Sequence, residues 1–351
     1  MFPVVERMLE SFQELSFELW LTKHSFAVEG LVSGRVTRVL REAQVDDHEI
    51  EKLDPQAYRF VLTGTSIDGN IESAVTRRAR QQRVPVFAIL DHWSEYGRRF
   101  GEQEGELTAV PDVVFVPDGR ARDDLARLGV PDDRLIVSGH PAFDRLAEVR
   151  SRFSDEVQRM VLKDLDVPES PGIAVFVSEP VSADHADKRL NYSEFSVLRS
   201  ILMALRLLPS DVRPCLILKL HPREGQGKFA AVLREFPDVK AKAAPPSIDR
   251  YTLLMASNVV LGIDSIMLLE ASVLGAKAFS VQVGYTDDGC IGAHTGQVQL
   301  IRDAGTLGDL LRKPRQPLGT SPDSTVNASQ RIMERVLTCT GITRMSSAAS
   351  N

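Results

Sequence analysis

The chain has 351 residues, of which 43% are hydrophobic and 26% are charged, and its formal net charge is -6. This composition is typical of globular proteins, and the length predicts two cores of roughly 150 residues each. No apolar run approaches the roughly 18 residues that cross a bilayer, and no basic cluster interleaved with aromatic residues marks a nucleic-acid binder. We therefore expect neither a membrane span nor a nucleic-acid partner.

The three cysteines, Cys215, Cys290 and Cys339, are an odd number at unrelated spacings. This pattern argues against a disulfide framework and against a zinc site. The first residues, "MFPVVERMLESFQ", include acidic side chains and lack the apolar segment and cleavage site of a secretory signal. We expect a cytoplasmic protein.

The first half of the chain alternates apolar runs with helical patterns. After a helix-like start, "PVVERMLESFQEL", runs of strand length begin at residues 17, 59, 84, 113 and 134. Helical spacing follows from residue 71 and again from residue 119. Short apolar strands between helices indicate βαβ units and a parallel sheet. Because such a domain usually opens with a strand, the helical start leaves open whether its first strand is missing.

The second half repeats this alternation. Strand-length runs begin at residues 172, 214, 258 and 277, and helical patterns cover 193–208, 227–236, 247–257 and 265–275. The charged stretch "SRFSDEVQRMVLKDLDVPESPG" between the halves ends in Pro and Gly and places a boundary near residue 168. The predicted fold is α/β, with two Rossmann-like doubly wound parallel-sheet domains that face a cleft. Their predicted ranges are 1–167 and 168–325, followed by a helix at 326–340 and a disordered tail at 341–351.

In an open parallel sheet, ligands bind outside the carboxyl ends of the strands. The segment "GIDSIMLLEASVLGA" follows such a strand, and it contains Gly262, Asp264 and Ser265 before the helix. Ser265 stands at the helix start, where backbone amides and the helix dipole favour a phosphate. Glu270 can accept hydrogen bonds from both hydroxyls of a ribose. The alternative is a simple helix cap with a carboxylate at the wetted edge of the helix.

Two other strand ends in the second half point to the same ligand. "LILKLHPREG" places His221 and Arg223 after a strand, where both can donate to a diphosphate, and Pro222 fixes the turn. "VFVSEP" places Ser178 in a loop that can meet the diphosphate. For His221 and Arg223 the alternative is an ordinary solvated side chain.

In the first half, "FAILDHWSEYGRRF" ends a strand in Asp91 and His92, either of which can act as a general base for a hydroxyl. Trp93 and Tyr96 follow, and aromatic faces stack on sugar rings. The alternative is that both rings pack beneath the loop. "VSGHPAFDRL", with His140, is predicted to be a structural turn.

The glycine turn "LTGTSIDGNIES" offers the hydroxyls of Thr65 and Ser66 to a sugar or an acceptor, but it matches neither a dinucleotide fingerprint nor a P-loop. No metal-binding spacing occurs, and we interpret Asp287 and Asp288 as loop residues. The nucleophile elbow of a Ser-His-Asp hydrolase is also missing.

Several of these motifs resemble segments of known enzyme families. "GIDSIMLLEASVLGA" resembles the donor-nucleotide helix of GT-B-fold enzymes, and "LKLHP" resembles their phosphate-contacting histidine segment. The run from "VLTGTS" through "VPVFAILDHW", "PDVVFVPD" and "LARLGVPDDRLIVSGHPAFDRL" resembles the first domain of non-hydrolysing UDP-N-acetylglucosamine 2-epimerases and of CDP-glycerol glycerophosphotransferase-like enzymes. The likeness covers most of residues 59–285.

The resemblance implies an acceptor domain followed by a nucleotide-donor domain. Ser265 and Glu270 would hold phosphate and ribose, His221 would stabilise the leaving diphosphate, and Asp91 or His92 would deprotonate an acceptor hydroxyl. The chain departs from the epimerases at Gly64 and Thr65, where they have a "GD" step. It also has "ILDHW" where they have "HVEAG", and nothing matches their "PEE-NR" stretch.

Two or more acid/base carboxylates of the epimerases are thus missing, which favours transfer over epimerisation. The resemblance implies a metal-independent glycosyltransferase that uses a nucleotide-sugar donor and a glycan or hydroxyl acceptor in surface polysaccharide or glycan biosynthesis, without a separate cofactor. The alternatives are an epimerase-like enzyme, a nucleotide-sugar hydrolase and an inactive nucleotide-binding scaffold. The oligomeric state stays open.

Overall fold

The computed structural model describes residues 2–12, 15–21, 36–41, 50–51, 54, 57–67, 70–101, 107–184, 190–285, 291–294, 296–319 and 327–342. The chain divides into two compact units. Unit 1 comprises Met1–Arg145 and Ser324–Asn351, and unit 2 comprises Leu146–Asp323. Within the described ranges, none of the helices has the length and apolar character needed to span a bilayer.

All secondary-structure elements are numbered in chain order. The strands are β1 Phe17–Leu21, β2 Val36–Arg41, β3 Val61–Thr63, β4 Val86–Ile89, β5 Val113–Val116, β6 Leu135–Val137, β7 Ile173–Val177, β8 Cys215–Lys219, β9 Ala241–Ala243, β10 Val259–Gly262, β11 Ala278–Val281 and β12 Gln299–Ile301. The helices are α1 Phe2–Ser11, α2 Asn70–Gln81, α3 Tyr96–Phe100, α4 Gly119–Arg127, α5 Asp144–Ser151, α6 Asp155–Asp164, α7 Val181–Asp184, α8 Glu194–Arg206, α9 Ala230–Arg234, α10 Arg250–Ala256, α11 Ile266–Val273, α12 Ile291–His294, α13 Ala304–Arg312 and α14 Ala328–Thr340.

Unit 1 contains a parallel sheet in the order β3-β4-β5-β6, and β1 and β2 form a separate parallel pair. Every residue of β4 and β5 is buried. Unbroken apolar runs of this kind are typical of strands that are covered on both faces. The rings of Phe87 and Phe115 stack across the two strands with their centroids 6.2 Å apart.

Two helices from opposite ends of the chain cover one face of this sheet. Met8 of α1 and Ile332 of α14 are fully buried in one cluster with Phe87 and Phe115. The carboxylate of Asp144 caps α14, because Oδ1 accepts from the backbone N–H of Ala328 at 2.9 Å and Oδ2 accepts from the next residue at 2.7 Å. Full burial of a side chain such as Ile332 stabilises the fold by about 1.5–3 kcal/mol.

Unit 2 is built around a six-stranded sheet in the order β12-β11-β10-β7-β8-β9, with every pair parallel. Read from β9, the sequence order of the strands is 3-2-1-4-5-6, which is the doubly wound dinucleotide-binding order. The order reverses between the neighbours β7 and β10. This switch point is where such sheets bind their ligands, at the carboxyl ends of the strands.

Helix α8 shows how the sequence builds the core of unit 2. Ser193 and Ser196 form a reciprocal capping box at its start. Apolar residues recur at helical spacing on one face, and Leu198, Ile201 and Leu205 are fully buried. The arrangement packs α8 into the main hydrophobic cluster of the unit.

The predicted α/β class and parallel sheets are confirmed, and each predicted strand is present. The boundary differs from the expected residue 168, because the charged stretch forms α6, which belongs to unit 2 and packs against α10. The predicted last helix, α14, belongs to unit 1. Ile342 in the predicted disordered tail is buried with α14, and residues 343–351 lie outside the described part.

Candidate functional site

The loops that follow β7 and β10 meet at the switch point of unit 2. The carboxylate of Glu179, after β7, accepts a hydrogen bond of 2.8 Å from the backbone N–H of Asp264, after β10. Gly262 ends β10, where a Cβ atom would come within 3.2 Å of the Leu268 side chain. The glycine therefore allows the first turn of α11 to pack closely against the strand end, which is a packing role.

Ser265 is the N-cap of α11. Its backbone is extended, and its hydroxyl accepts from the backbone N–H of Met267 at 3.4 Å. The backbone N–H groups of a first helical turn and the helix dipole favour an anion at this end. The predicted helix start at residue 265 agrees with the position of Ser265 as the N-cap of α11.

Glu270 is a buried carboxylate, with 5% of its surface exposed. Its Oε1 accepts from Arg250 Nη2 and from the Tyr251 hydroxyl, each at 3.3 Å. Its Oε2 is buried and has no hydrogen-bond partner within the described residues. Burial raises the pKa of this carboxyl, and the contacts with Arg250 and Tyr251 oppose the rise only in part.

A buried acceptor without a donor is costly, so Glu270 Oε2 is a position that a ligand hydroxyl would satisfy. Arg250 and Tyr251 were not identified from the sequence. They lie about twenty residues before Glu270, on α10, and only the packing of α10 beside α11 brings them to the carboxylate. No local pattern signals this contact.

His221 follows β8 and is half-buried. Its Nδ1 accepts from the backbone N–H of Arg223 at 3.2 Å, so in the neutral ring the proton sits on Nε2, which is a donor. The backbone N–H of His221 donates to Glu224 Oε2 at 2.8 Å. Arg223 itself is exposed.

Ser178 does not stand free at the strand end. It is 1% exposed, and its hydroxyl donates to Glu224 Oε1 at 2.9 Å. In this arrangement Ser178 orients Glu224, which in turn holds the backbone of His221. The sequence predicted that the loop of Ser178 meets the diphosphate. In the structure the Ser178 hydroxyl donates its hydrogen bond to Glu224 instead.

In unit 1, a hydrogen-bonded cluster joins the loops after β3 and β4. Asp91 Oδ1 accepts from the Thr65 hydroxyl at 2.9 Å and from Arg99 Nη1 at 2.6 Å. The Arg99 side chain is 4% exposed, and it also donates to the carbonyl oxygens of Thr65 and Ser94. The carboxylate of Asp91 is therefore held in an ion pair with a buried guanidinium.

His92 is the candidate proton acceptor at this strand end. Its Nδ1 lies 2.9 Å from the Ser94 hydroxyl. Burial and the charge of Arg99 lower the pKa of His92, and Asp91 opposes this only in part. The ring is therefore neutral near pH 7. If Nδ1 carries the proton toward Ser94, Nε2 is left as the basic nitrogen.

The aromatic residues of this loop are packed. Trp93 is 7% exposed, donates from Nε1 to Asp118 at 2.6 Å and stacks on His140 at 5.7 Å. Tyr96 is also buried, and burial together with Asp124 raises the pKa of its hydroxyl. The structure therefore corresponds to the packing alternative for both rings instead of the predicted stacking on a sugar.

Two further hydroxyl and imidazole groups have internal partners. The Ser66 hydroxyl donates to Glu72 at 2.7 Å. His140 Nε2 lies 3.1 Å from the Asp91 carbonyl oxygen, and its Nδ1 accepts from the backbone N–H of Ala142 at 3.2 Å. The structural role predicted for His140 agrees with these contacts.

A cavity of about 450 Å³ lies at the amino ends of the strands of the unit 1 sheet, opposite the carboxyl ends that carry Asp91 and His92. It is lined by Arg80, Arg83, Val84, Pro85, Phe87, Asp112, Val113 and Cys339. These residues surround the amino ends of β4 and β5, so the cavity is separate from the strand-end cluster of Asp91 and His92. In the part of the chain that the structure describes, no group of three or more metal-binding side chains occurs, and Asp287 and Asp288 lie outside that part.

No protein-family model and no curated protein matches the sequence. Solved structures share the fold. A UDP-GlcNAc 2-epimerase from Methanocaldococcus jannaschii is 16% identical with a TM-score of 0.68, and the match covers 96% of this chain and 95% of that one. A putative UDP-N-acetylglucosamine 2-epimerase from Listeria monocytogenes is 16% identical with a TM-score of 0.65, covering 98% and 94%.

MurG from Acinetobacter baumannii is 12% identical with a TM-score of 0.52, covering 96% of this chain and 94% of that one. These likenesses show a fold of the GT-B type with two Rossmann-like domains. They confirm, at the level of the fold, the resemblance suggested by the sequence.

Proposed function

We propose that this protein is a nucleotide-sugar-dependent glycosyltransferase. The observation that carries the proposal is the buried carboxylate of Glu270, one oxygen of which has no donor among the described residues. Glu270 stands on α11, the helix that begins at the switch point of a sheet with Rossmann strand order. A ribose hydroxyl at Oε2 and a diphosphate at the start of α11 would satisfy both features together.

Unit 2 supplies the groups that hold the leaving nucleotide. The N-terminus of α11, capped by Ser265, and the Nε2–H of His221 would offset the charge that develops on the diphosphate, so that no divalent ion is required. Asp264 lies in the same loop and Arg223 in the His221 loop, and both are candidates for contact with the donor.

The neutral imidazole of His92 is the base in the proposed reaction. An acceptor hydroxyl attacks the anomeric carbon of the sugar, and the bond from that carbon to the diphosphate oxygen breaks, with its electron pair leaving on the nucleotide. The hydroxyl proton passes to Nε2 of His92. We favour transfer over epimerisation because transfer needs this one base, whereas Asp91, the carboxylate at the same strand end, is tied to Arg99.

A binding experiment tests the first step. UDP, CDP and GDP, together with UDP-GlcNAc and CDP-glycerol, are titrated into the full chain by calorimetry. Glu270→Ala should weaken the best ligand by roughly 10-fold to 100-fold, the loss of a hydrogen bond to a charged group. Glu235→Ala, at an exposed surface carboxylate, is the control and should bind as the unmodified chain does. Failure of every ligand to bind would reject the proposal.

A turnover experiment tests the reaction. With a binding donor and a panel of hydroxyl acceptors, His92→Gln should retain donor binding and lose transfer, and Asp91→Asn should retain measurable transfer. Free nucleotide without an acceptor would indicate a hydrolase, and a new sugar epimer an epimerase-like enzyme. Binding without turnover on any acceptor would indicate an inactive scaffold. The assignment to surface polysaccharide or glycan assembly rests on the sequence resemblance alone.

A further inference from the structure

Lys228 lies in a buried network of charges beside the His221 loop. Its Nζ contacts Glu194 Oε1 at 2.5 Å and Glu224 Oε1 at 2.6 Å. The side chains of the two glutamates are 1% and 2% exposed, and that of Lys228 is 15% exposed. The ammonium also lies over the rings of Phe195 and Phe229, 5.2 and 5.3 Å from their centroids. None of these three charged residues stood out in the sequence.

The two glutamates accept hydrogen bonds from segments that follow β7 and β8. Glu224 accepts from the backbone N–H of His221 at 2.8 Å and from the Ser178 hydroxyl at 2.9 Å. Glu194 accepts from both the backbone N–H and the hydroxyl of Ser182, at 3.0 and 2.6 Å. Lys228 therefore ties the loop after β7 to the loop after β8.

The charge balance explains why the lysine is needed. Two buried carboxylates held this close repel each other, and the ammonium of Lys228 offsets this repulsion. Burial alone would raise the pKa of Glu194, but hydrogen bonds from Lys228 and Ser182 outweigh it and hold the pKa below its ordinary value. With the ammonium in contact with both carboxylates, each of them can accept hydrogen bonds from backbone N–H groups, Glu194 from Ser182 and Glu224 from His221.

We propose that Lys228 is a positioning residue for nucleotide binding. Its ammonium contacts both Glu194 and Glu224 and offsets their mutual repulsion, so that Glu224 fixes the His221 backbone at the carboxyl end of β8. This inference rests on the proposed function of His221. Lys228 acts through the two glutamates, and it has no direct contact with the ligand.

The test compares charge states of the network. Lys228→Met removes the ammonium but keeps most of the side-chain length, and it should weaken binding of the best nucleoside diphosphate (UDP, CDP or GDP) about 10-fold. Lys228→Arg should restore most of the affinity. The double variant Lys228→Met with Glu194→Gln removes the excess negative charge, and it should bind more tightly than Lys228→Met alone.

A surface ion pair provides the control. Arg199 pairs with Glu235 at 2.7 Å on the exposed side of α8, so Arg199→Met removes an ion pair from the same unit without touching the network. It should leave the affinity unchanged. If the double variant binds more weakly than Lys228→Met, or if Lys228→Met lowers only the melting temperature, the role of Lys228 is merely structural and the proposal is wrong.

A ligand-independent measurement separates this proposal from the proposed function. The imidazole NMR signal of His221, assigned by its loss in His221→Gln, should shift in Lys228→Met and stay in place in Arg199→Met. If no nucleotide binds the unmodified chain but the His221 signal shifts, the network positions this loop for another ligand and only the proposed function fails. An unshifted signal overturns the positioning role itself.

Discussion

Acidification should destabilise unit 1 through His92 and His140. Burial lowers the pKa of both rings, and the charge of Arg99 lowers that of His92 further. For His140 the geometry gives an additional reason, because its Nδ1 accepts from the backbone N–H of Ala142 at 3.2 Å. A proton added at Nδ1 would face another donor and remove this contact.

The size and sign of the effect follow from linkage. The ordinary pKa of each ring is 6.5, and the folded-state values lie below it. Between the folded pKa and 6.5 the unfolded chain binds more protons, so the free energy of unfolding falls as the pH drops through this window. Each ring contributes at most about 1.4 kcal/mol per pH unit, and the two together at most about 2.7 kcal/mol.

Tryptophan fluorescence isolates unit 1 in this measurement. The chain has two tryptophans, Trp20 and Trp93, and both belong to unit 1. Guanidinium chloride titrations at about pH 7.5, 6.5 and 5.5 then give the free energy of unfolding of this unit at each pH. His140→Asn keeps a short side-chain acceptor for the Ala142 N–H but does not titrate, so it should lower the pH slope by up to about one half.

Two results would refute this reasoning. One is a midpoint of the fluorescence transition that stays constant from pH 7.5 to 5.5. The other is a pH slope in His140→Asn as steep as in the unmodified chain. His294→Asn changes an exposed histidine of unit 2, and as the control it should leave the slope unchanged.

Three further changes have defined outcomes. A thiol reagent should label exposed Cys339 in seconds to minutes and spare Cys215 in the folded chain, because burial raises the pKa of the Cys215 thiol. Mass spectrometry of a peptide digest measures the extent of labelling at each cysteine. Equal labelling of the two cysteines would contradict the prediction. Asp144→Ala removes the cap of α14 and should lower the free energy of unfolding of unit 1 by about 0.5–2 kcal/mol by tryptophan fluorescence, with Asp133→Ala as an exposed control. Gly262→Ala places a Cβ against Leu268 and should lower the free energy of unfolding of unit 2 by about 1–3 kcal/mol, as measured by denaturation followed by circular dichroism. An unchanged free energy of unfolding would mean that α11 can move away from the added Cβ without cost.

Strands that are buried on both faces were predictable, and the two edge strands of the unit 2 sheet were not. The runs at β4, β5, β7 and β10 consist of consecutive buried apolar residues, so composition alone reveals them. The strands β9 and β12 stand at the two edges of the unit 2 sheet, and most of their residues are partly exposed. Such strands need no apolar run, because half of their surface faces water.

The helix α6 was missed although its signals are present. Ser154 caps it, Asp155 and Glu156 follow in the first turn, and Lys163 lies in the last turn. These are the ordinary signs of helix ends, but the charged composition and the following Pro and Gly favoured a linker. The helix belongs to unit 2 and packs against α10, which moves the boundary toward the N-terminus.

The candidate site was predictable only where a motif is local. Ser265 and Glu270 belong to one helix and its cap, and His221 directly follows a strand. The spacing of residues along the chain is therefore enough to identify them as candidates. Arg250 reaches Glu270 and Lys228 reaches Glu194 across long sequence separations, through tertiary packing. Salt bridges of this kind leave no periodicity in a single sequence.

The return of α14 to unit 1 sets an order of events during synthesis. Unit 2 is one continuous segment, whereas part of the cover of β4 and β5 comes from residues that are synthesised after unit 2. At roughly 5–20 residues per second, translation of the roughly 180 residues in between takes about 10–35 seconds. During that interval the side chains of β4 and β5 that later pack against α14 lack this partner, so unit 1 completes its core only after unit 2 has been synthesised.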